Sequence, residues 1–381
     1  MHLIDYINIY KDWEERLSNP PYNLIIKTDG RYKLLKYNYH ESDFGLTEVQ
    51  EARGCIIRQD FDGEWIYVCR PFNKFFNYGE REAASIDWSS ATVTEKIDGS
   101  LMKLWYDYGE WHLSTSGTID AFGSIIDDSE LSFGKMFVDV LSKNSLYNFP
   151  NQTFQQFARF ATFSPCATYL FEIVSLKKRI VIPYEKDMIY FLAQIDNESG
   201  KQIPINSFQR EQLIKYGVAF PKEIDCNSLE EVVSIVEKFD ANHEGFVVRD
   251  AFDNRIKVKS PAYFKAAYYF IKGPISRANI LMMMRDNMID DFLGYFNNYA
   301  AQVSGVFLDI KKLVDKIYAS WNLYYNESIT RKEFALRVKD LPYANILFKK
   351  FTDPALNIEN YVWENLSLKT LIHLLGYDKE D

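Results

Sequence analysis

The chain has 381 residues, 47% of them hydrophobic and 25% charged, an ordinary balance for a globular protein of two or three domains. A formal net charge of -9 and a pI near 5.3 exclude attraction of a polyanion by the molecule as a whole, so any nucleic-acid contact needs a local basic surface. Cys55, Cys69, Cys166 and Cys226 lack CxxC spacing and the five histidines form no HxxxH or HExxH pair, which excludes a zinc motif and points to reduced thiols in a cytoplasmic protein.

The opening Met1-His2-Leu3-Ile4-Asp5-Tyr6 has no basic region leading into an apolar one, and no apolar run approaches about 18 residues, so neither a standard secretion signal nor a membrane span is expected. Residues 1 to 260 read as antiparallel-rich α+β. Short β-branched and aromatic runs predict strands at 55–58, 65–70, 93–97, 101–106, 111–115, 169–174, 189–194, 245–249 and 255–259. Asp107-Tyr108-Gly109-Glu110 suits a tight hairpin between two of them. After Ser260-Pro261 apolar residues recur three and four apart, which predicts helices over 288–296, 306–321 and 334–348. Thr330 with Glu333 makes a capping box, and Ser367 and Gly376 bracket a final helix over 368–375.

The sharpest local pattern is Lys96-Ile97-Asp98-Gly99-Ser100, a lysine at the end of a predicted strand with a glycine turn behind it. Alone it reads equally well as a surface turn, because Asp-Gly is a common hairpin turn. Its companions change the reading. Phe171-Glu172-Ile173-Val174 places a carboxylate inside an apolar strand, where it needs a metal, a hydroxyl or a cation; Lys177, Lys178 or Arg179 could supply a plain salt bridge. Glu244-Gly245-Phe246-Val247-Val248 leads a second carboxylate into a buried strand. In Arg255-Ile256-Lys257-Val258-Lys259 the period-two alternation sends three cations to one face, as in a phosphate site or a solvated edge strand. Arg53-Gly54, Arg70 and Lys74 add cations beside glycine or aromatics. An amine, two carboxylates and several cations are the parts that phosphoryl or nucleotidyl transfer requires, since an amine attacking phosphorus near neutral pH must be activated by nearby positive charge.

In order, Lys96-x-Asp98-Gly99, Phe171-Glu172, Glu244-Gly245 and Lys257-x-Lys259 resemble motifs I, III, IV and V of the covalent nucleotidyltransferases, the superfamily of DNA ligases, RNA ligases and mRNA capping enzymes. Arg53-Gly54, Arg70-Pro71 and Lys74-Phe75-Phe76-Asn77 resemble upstream elements of the bacteriophage T4 RNA ligase 1 family. The likeness covers residues 50–260 well and 262–381 only by helical character.

The resemblance implies an α+β nucleotidyltransferase (adenylation) domain over 1–260, and an all-α domain over 261–381 that sets RNA preference. It implies ATP and Mg2+, with Mn2+ as a substitute, and a three-step reaction through lysyl-AMP. Lys96 would be the nucleophile. Lys257 and Lys259 would meet ATP phosphates, and Glu172 and Glu244 the ribose or the metal, whose hard character suits carboxylate oxygen. Arg53 and Lys74 would steady phosphates, Phe76 would lie near the nucleotide with Glu95 and Ile97, and Gly99 would let the backbone approach it. The implied partner is RNA with 5′-phosphate and 3′-hydroxyl ends, cleaved tRNA among them, acted on by a monomer away from membranes.

One departure stands out: Ser114 and Ser116 occupy positions where the family carries lysines, and Lys103 or Arg179 are the available substitutes. Alternatives are an RNA ligase of the second T4 type acting on nicked duplexes, and an RNA-binding protein that kept the fold without catalysis. A DNA ligase or capping enzyme would continue into a β-rich OB domain, whereas here helices are expected.

Overall fold

In the computed structural model the described residues are 1–38, 41–123, 131–146, 154–176, 182, 184–263, 276–285, 289, 292–293 and 299–379. Lys177, Lys178 and Arg179 lie outside them, as does most of the helix expected at 288–296. The chain divides into two compact units, Met1–Phe270 and Ile271–Asp381.

The first unit carries strands β1 (Leu24–Asp29), β2 (Tyr32–Tyr37), β3 (Arg53–Gln59), β4 (Trp65–Cys69), β5 (Phe76–Asn77), β6 (Thr92–Glu95), β7 (Ser100–Asp107) and β8 (Glu110–Thr115). They continue as β9 (Ala167–Val174), β10 (Met188–Asp196), β11 (Gln202–Ile203), β12 (Val218–Ala219), β13 (Glu223–Ile224), β14 (Gly245–Arg249) and β15 (Arg255–Lys259). Three sheets result, ordered β1-β2-β3-β4, then β11-β10-β9-β7-β8 with β12 on β10, and β13-β6-β14-β15-β5. All pairings are antiparallel except β10 with β12 and β15 with β5.

Alternation decides which side chains enter the cores. On β9, Tyr169, Phe171 and Ile173 face a cluster with Met136, Phe137, Phe157 and Leu213 from the helices Phe133–Asn144, Phe154–Phe160 and Ser207–Lys215. Leu170 and Glu172 therefore face the other way. The first sheet packs Leu35, Cys55 and Ile57 against the helices Leu3–Ile9, Trp13–Ser18 and Thr47–Glu51, and turns Leu34, Ile56 and Val68 toward Trp105 of β7. The third sheet sets Val93, Phe246, Val248, Ile256 and Val258 against Val232 and Val236 of the helix Leu229–Val236. Its opposite face is left to the cations of β15. Full burial of each such apolar side chain contributes about 1.5–3 kcal/mol. The β7–β8 turn has Tyr108 at φ 45° and Gly109 at φ 89°, the left-handed pair that matches strand twist.

The second unit is helical. Ala300–Tyr324 buries Val303, Val306, Ile310, Val314, Ile317 and Trp321 at helical spacing. The single helix expected at 334–348 is two helices, Arg331–Val338 and Ala344–Thr352. Pro342 lies between them, and proline has no N–H to donate and clashes with the preceding turn. The capping box at Thr330 and Glu333 is formed, and Ser367 caps Leu368–Leu375, which ends on Gly376 at φ 77°.

Candidate functional site

Sheet order brings the central residues together. β14 lies between β6 and β15, with Phe246 opposite Glu95 and Gly245 opposite Lys259. Glu244, one residue before β14, thus falls between Lys96, one residue past β6, and Lys259 at the end of β15. Lys96 Nζ and Lys259 Nζ each lie 2.8 Å from the same oxygen, Glu244 Oε1. The other oxygen, Oε2, is buried with no hydrogen-bond partner among the described residues. The main chain locks this arrangement: Lys96 N donates to Gly245 O at 2.9 Å, and Ser260 N to Glu244 O at 2.8 Å. Only glycine fits at 245, where φ is 136° and a Cβ would stand 2.1 Å from Val258 O.

Glu172 reaches the same place from β9. Burial pushes its carboxyl up to about 8, with Lys96 opposing and Glu244 reinforcing the shift. Glu172 is thus harder to ionise than an ordinary carboxyl, and Glu244 is opposed by two ammoniums. The close approach at Gly99 is made by protein: a Cβ there would sit 2.5 Å from Ile173 O and 2.9 Å from Glu172 Cγ. Glycine at 99 thus serves strand packing that seats Lys96 beside Glu172. Asp98 carries no role of its own in the sequence motif. It is buried, accepting from Tyr263 Oη at 3.0 Å and Ile182 N at 2.9 Å, while its own N donates to Tyr184 Oη at 3.0 Å. These bonds fix the turn behind Lys96.

The cations sort into two groups. The Arg53 guanidinium lies 5.0 Å from the Phe75 ring centroid and Lys257 Nζ 5.6 Å from it, so both flank one ring. Arg53 Nη1 is buried with no hydrogen-bond partner among the described residues. β15 runs between β14 and β5, which removes the edge-strand reading of its cations. Arg70 and Arg255, by contrast, are structural clamps. Arg70 donates to Glu198 O at 2.8 Å and pairs with Glu51; Arg255 donates to Gln202 Oε1 at 2.6 Å and pairs with Asp253 at 3.2 Å. Lys103 is fully buried, its Nζ donating to Gly54 O.

Lys74 is buried between rings, its Nζ 4.9 Å from the centroid of Phe44 and 5.5 Å from that of Phe76. Phe76 packs edge-on to Phe44 and is 6% exposed, so here it is part of the core instead of an open stacking face. Glu95 N donates to Lys222 O at 2.8 Å, and Ile97 is buried. Ser114 is buried and accepts from Trp105 Nε1 at 3.1 Å.

Among the described residues no three His, Cys, Asp or Glu side chains converge on a metal position. Glu172 and Glu244, with the unpartnered Oε2, instead fit a magnesium ion that keeps several waters and shares ligands with substrate phosphates.

The stretch that carries these residues belongs to a known class of protein: residues 51–270, more than half of the chain, match the sequence model of an RNA ligase family of the T4 RNA ligase 1 type. The chain is a member of that family. It is similar to the RNA ligase of Rhodothermus phage RM378, with 23% identity over 89% of each chain. It is also 25% identical to a protein assigned as a bifunctional polynucleotide kinase/RNA ligase in Autographa californica nuclear polyhedrosis virus, over 87% of this chain and 47% of that one. The chain therefore spans about half the length of that relative. Among solved structures, an archaeal ATP-dependent RNA ligase has 14% identity and a TM-score of 0.42 over 86% of this chain and 74% of its own. No helix among the described residues is long and apolar enough to cross a membrane.

Proposed function

We propose that the chain is an ATP-dependent RNA ligase that joins a 5′-phosphate to a 3′-hydroxyl through lysyl-AMP at Lys96. The observation that carries this is the sharing of Glu244 Oε1 by the Lys96 and Lys259 ammoniums at 2.8 Å. A carboxylate so placed aims the amine, and the second ammonium stands where a phosphate oxygen would collect it. Lys96, Lys257, Lys259 and Arg53 outnumber Glu172 and Glu244, which leaves the site positively charged, as a triphosphate requires.

In the first step Lys96 Nζ, having lost a proton, attacks the α-phosphorus of ATP. A P–N bond forms, the bond to the β-phosphate oxygen breaks, and pyrophosphate leaves toward Lys257 and Arg53. In the second, an oxygen of the RNA 5′-phosphate displaces Lys96 from AMP, giving an RNA-adenylate and returning the free amine. In the third, an RNA 3′-hydroxyl attacks the 5′-phosphate, the strand is sealed and AMP departs. A divalent cation held by Glu172 and Glu244 would neutralise the phosphate charge that builds up in these steps.

Incubation with α-labelled ATP and Mg2+ tests the reading. A covalent AMP adduct is expected on the wild-type protein and none on Lys96→Ala; labelling by GTP in place of ATP would overturn it in favour of capping chemistry. The helical unit, acting in a monomer, supplies RNA preference, with cleaved tRNA and a repair role in the cytoplasm as the reading the family likeness favours. Comparing ligation of single-stranded RNA, nicked duplex and cleaved tRNA decides it: preference for the nicked duplex would sink the tRNA reading.

A further inference from the structure

Two cations on the first sheet, Lys27 and Lys36, stand outside the residues just assigned and line up with Arg53. In the β1–β2 ladder Ile25 pairs with Lys36 and Lys27 with Leu34; in the β2–β3 ladder Leu34 pairs with Ile56 and Lys36 with Arg53. Paired residues, and residues two apart on one strand, share a face. Lys27, Lys36 and Arg53 therefore form a diagonal row on the face that presents Leu34 and Ile56 to Trp105.

Arg53 joins this row only because the ladder shifts register between Leu35 and Lys36, skipping Gly54. Without that bulge, alternation would turn Arg53 to the opposite face. Gly54 has φ 83°, and a Cβ on it would stand 2.3 Å from Ser116 O, so the bulge is specified by a glycine under close contact. Across from the row, Lys103 on β7 donates through Nζ to Gly54 O, and Lys27 donates through Nζ to Gly117 O.

Four cations from β1, β2, β3 and β7 are thus gathered at one place. Burial pushes Lys27 down to about 7, and Lys36 and Lys103 push in the same direction. Such crowding of like charges disfavours the charged form of each and favours an anion beside them. The group is also continuous with the nucleotidyl-transfer site, because the Arg53 guanidinium shares the Phe75 ring with Lys257, two residues before Lys259.

We propose that Lys27 and Lys36, with Arg53, form a phosphate-binding subsite that holds a phosphate group other than the one Lys96 attacks. The inference rests on the ligase reading, in which that group is either the terminal phosphate of ATP or the 5′-phosphate of RNA. The positive charge beside the loop holding Ser116 then comes from β1 and β2, not from the loop itself.

The test uses wild type, Lys27→Met, Lys36→Met, the double variant and the two Lys→Arg variants. One arm measures the ATP dependence of covalent AMP labelling. The other measures, on pre-adenylylated enzyme, binding and AMP acceptance by a 5′-phosphorylated oligoribonucleotide against its 5′-hydroxyl counterpart. If ATP is the source, the double variant raises the KM for ATP at least tenfold with a smaller change in the maximal labelling rate. If RNA is the source, it loses at least tenfold of the preference for the 5′-phosphate. Arginine at either position restores most of the loss, which a packing role would not allow.

Values within twofold of wild type in both arms overturn the subsite. Wild type that takes no label overturns the ligase reading itself. Calorimetric binding of tripolyphosphate to wild type and the single variants then still decides the subsite: binding unchanged by either substitution rejects it, and binding weakened at least tenfold retains it as an anion site.

Discussion

Two buried carboxylates in the first unit meet cations in opposite ways. Glu51 uses both oxygens: it accepts from His2 Nδ1 and Leu3 N at 2.7 Å each, from Tyr67 Oη at 3.4 Å, and faces Arg70 at 3.5 Å. Glu244 gives one oxygen to two ammoniums and leaves the other without a partner among the described residues. Both side chains are nearly inaccessible, so burial does not separate them. Satisfaction does. A carboxylate with every lone pair engaged holds elements together, whereas one with an unused oxygen beside a 22% exposed lysine is poised for a ligand.

The comparison can be broken in order of expected effect. Lys96→Ala removes the proposed attacking atom and should abolish AMP labelling, by about a thousandfold or more, in a protein whose circular dichroism is unchanged; residual labelling near wild type would move the nucleophile elsewhere. Glu244→Ala should lower labelling at least tenfold, roughly 1.4 kcal/mol or more of transition-state stabilisation, without unfolding the protein. Unchanged adenylylation would remove it from the site. Glu51→Ala should do the reverse. It strands Arg70 and costs about 3–5 kcal/mol of stability, read by denaturant unfolding, while the folded fraction labels at nearly the wild-type rate.

The smallest effect concerns Lys27. Its amine is held down at about 7, well below its ordinary 10.5, so between those values the unfolded chain binds the proton and the native state does not. Stability from this group therefore rises with pH across that window, and the cost of burying the charge is full below pH 7. Lys27→Met should raise Tm by roughly 2–4 °C at pH 6, and by less at pH 9.5. A variant less stable than wild type at pH 6 would mark Lys27 as a structural anchor like Arg70.

Much of the site can be read along the chain because its parts are local. Alternation on β15 separates Ile256 and Val258 from Lys257 and Lys259, and the same period isolates Glu172 from its apolar neighbours on β9. Arg70 and Arg255 look no different in sequence from Arg53, Lys257 and Lys259. Only their distant partners, Glu198 and Gln202, show that their charges are spent on folding. The role of Asp98 within its motif is hidden for the same reason. Its hydroxyl partner Tyr263 is 165 residues away, beyond the reach of any local pattern.

By itself the sequence determined the antiparallel-rich α+β region, the helical tail with its caps at Thr330 and Ser367, and the lysine at a strand end before a glycine turn. These follow from short-range sterics and periodicity, which each segment carries with it. Tertiary structure alone decided that β14 lies between β6 and β15, so that Lys96 and Lys259 meet on Glu244, and that a bulge at Gly54 turns Arg53 onto the face of Lys27 and Lys36. Strand order and register are settled by pairing across long sequence separations, where each strand's own pattern is compatible with several neighbours.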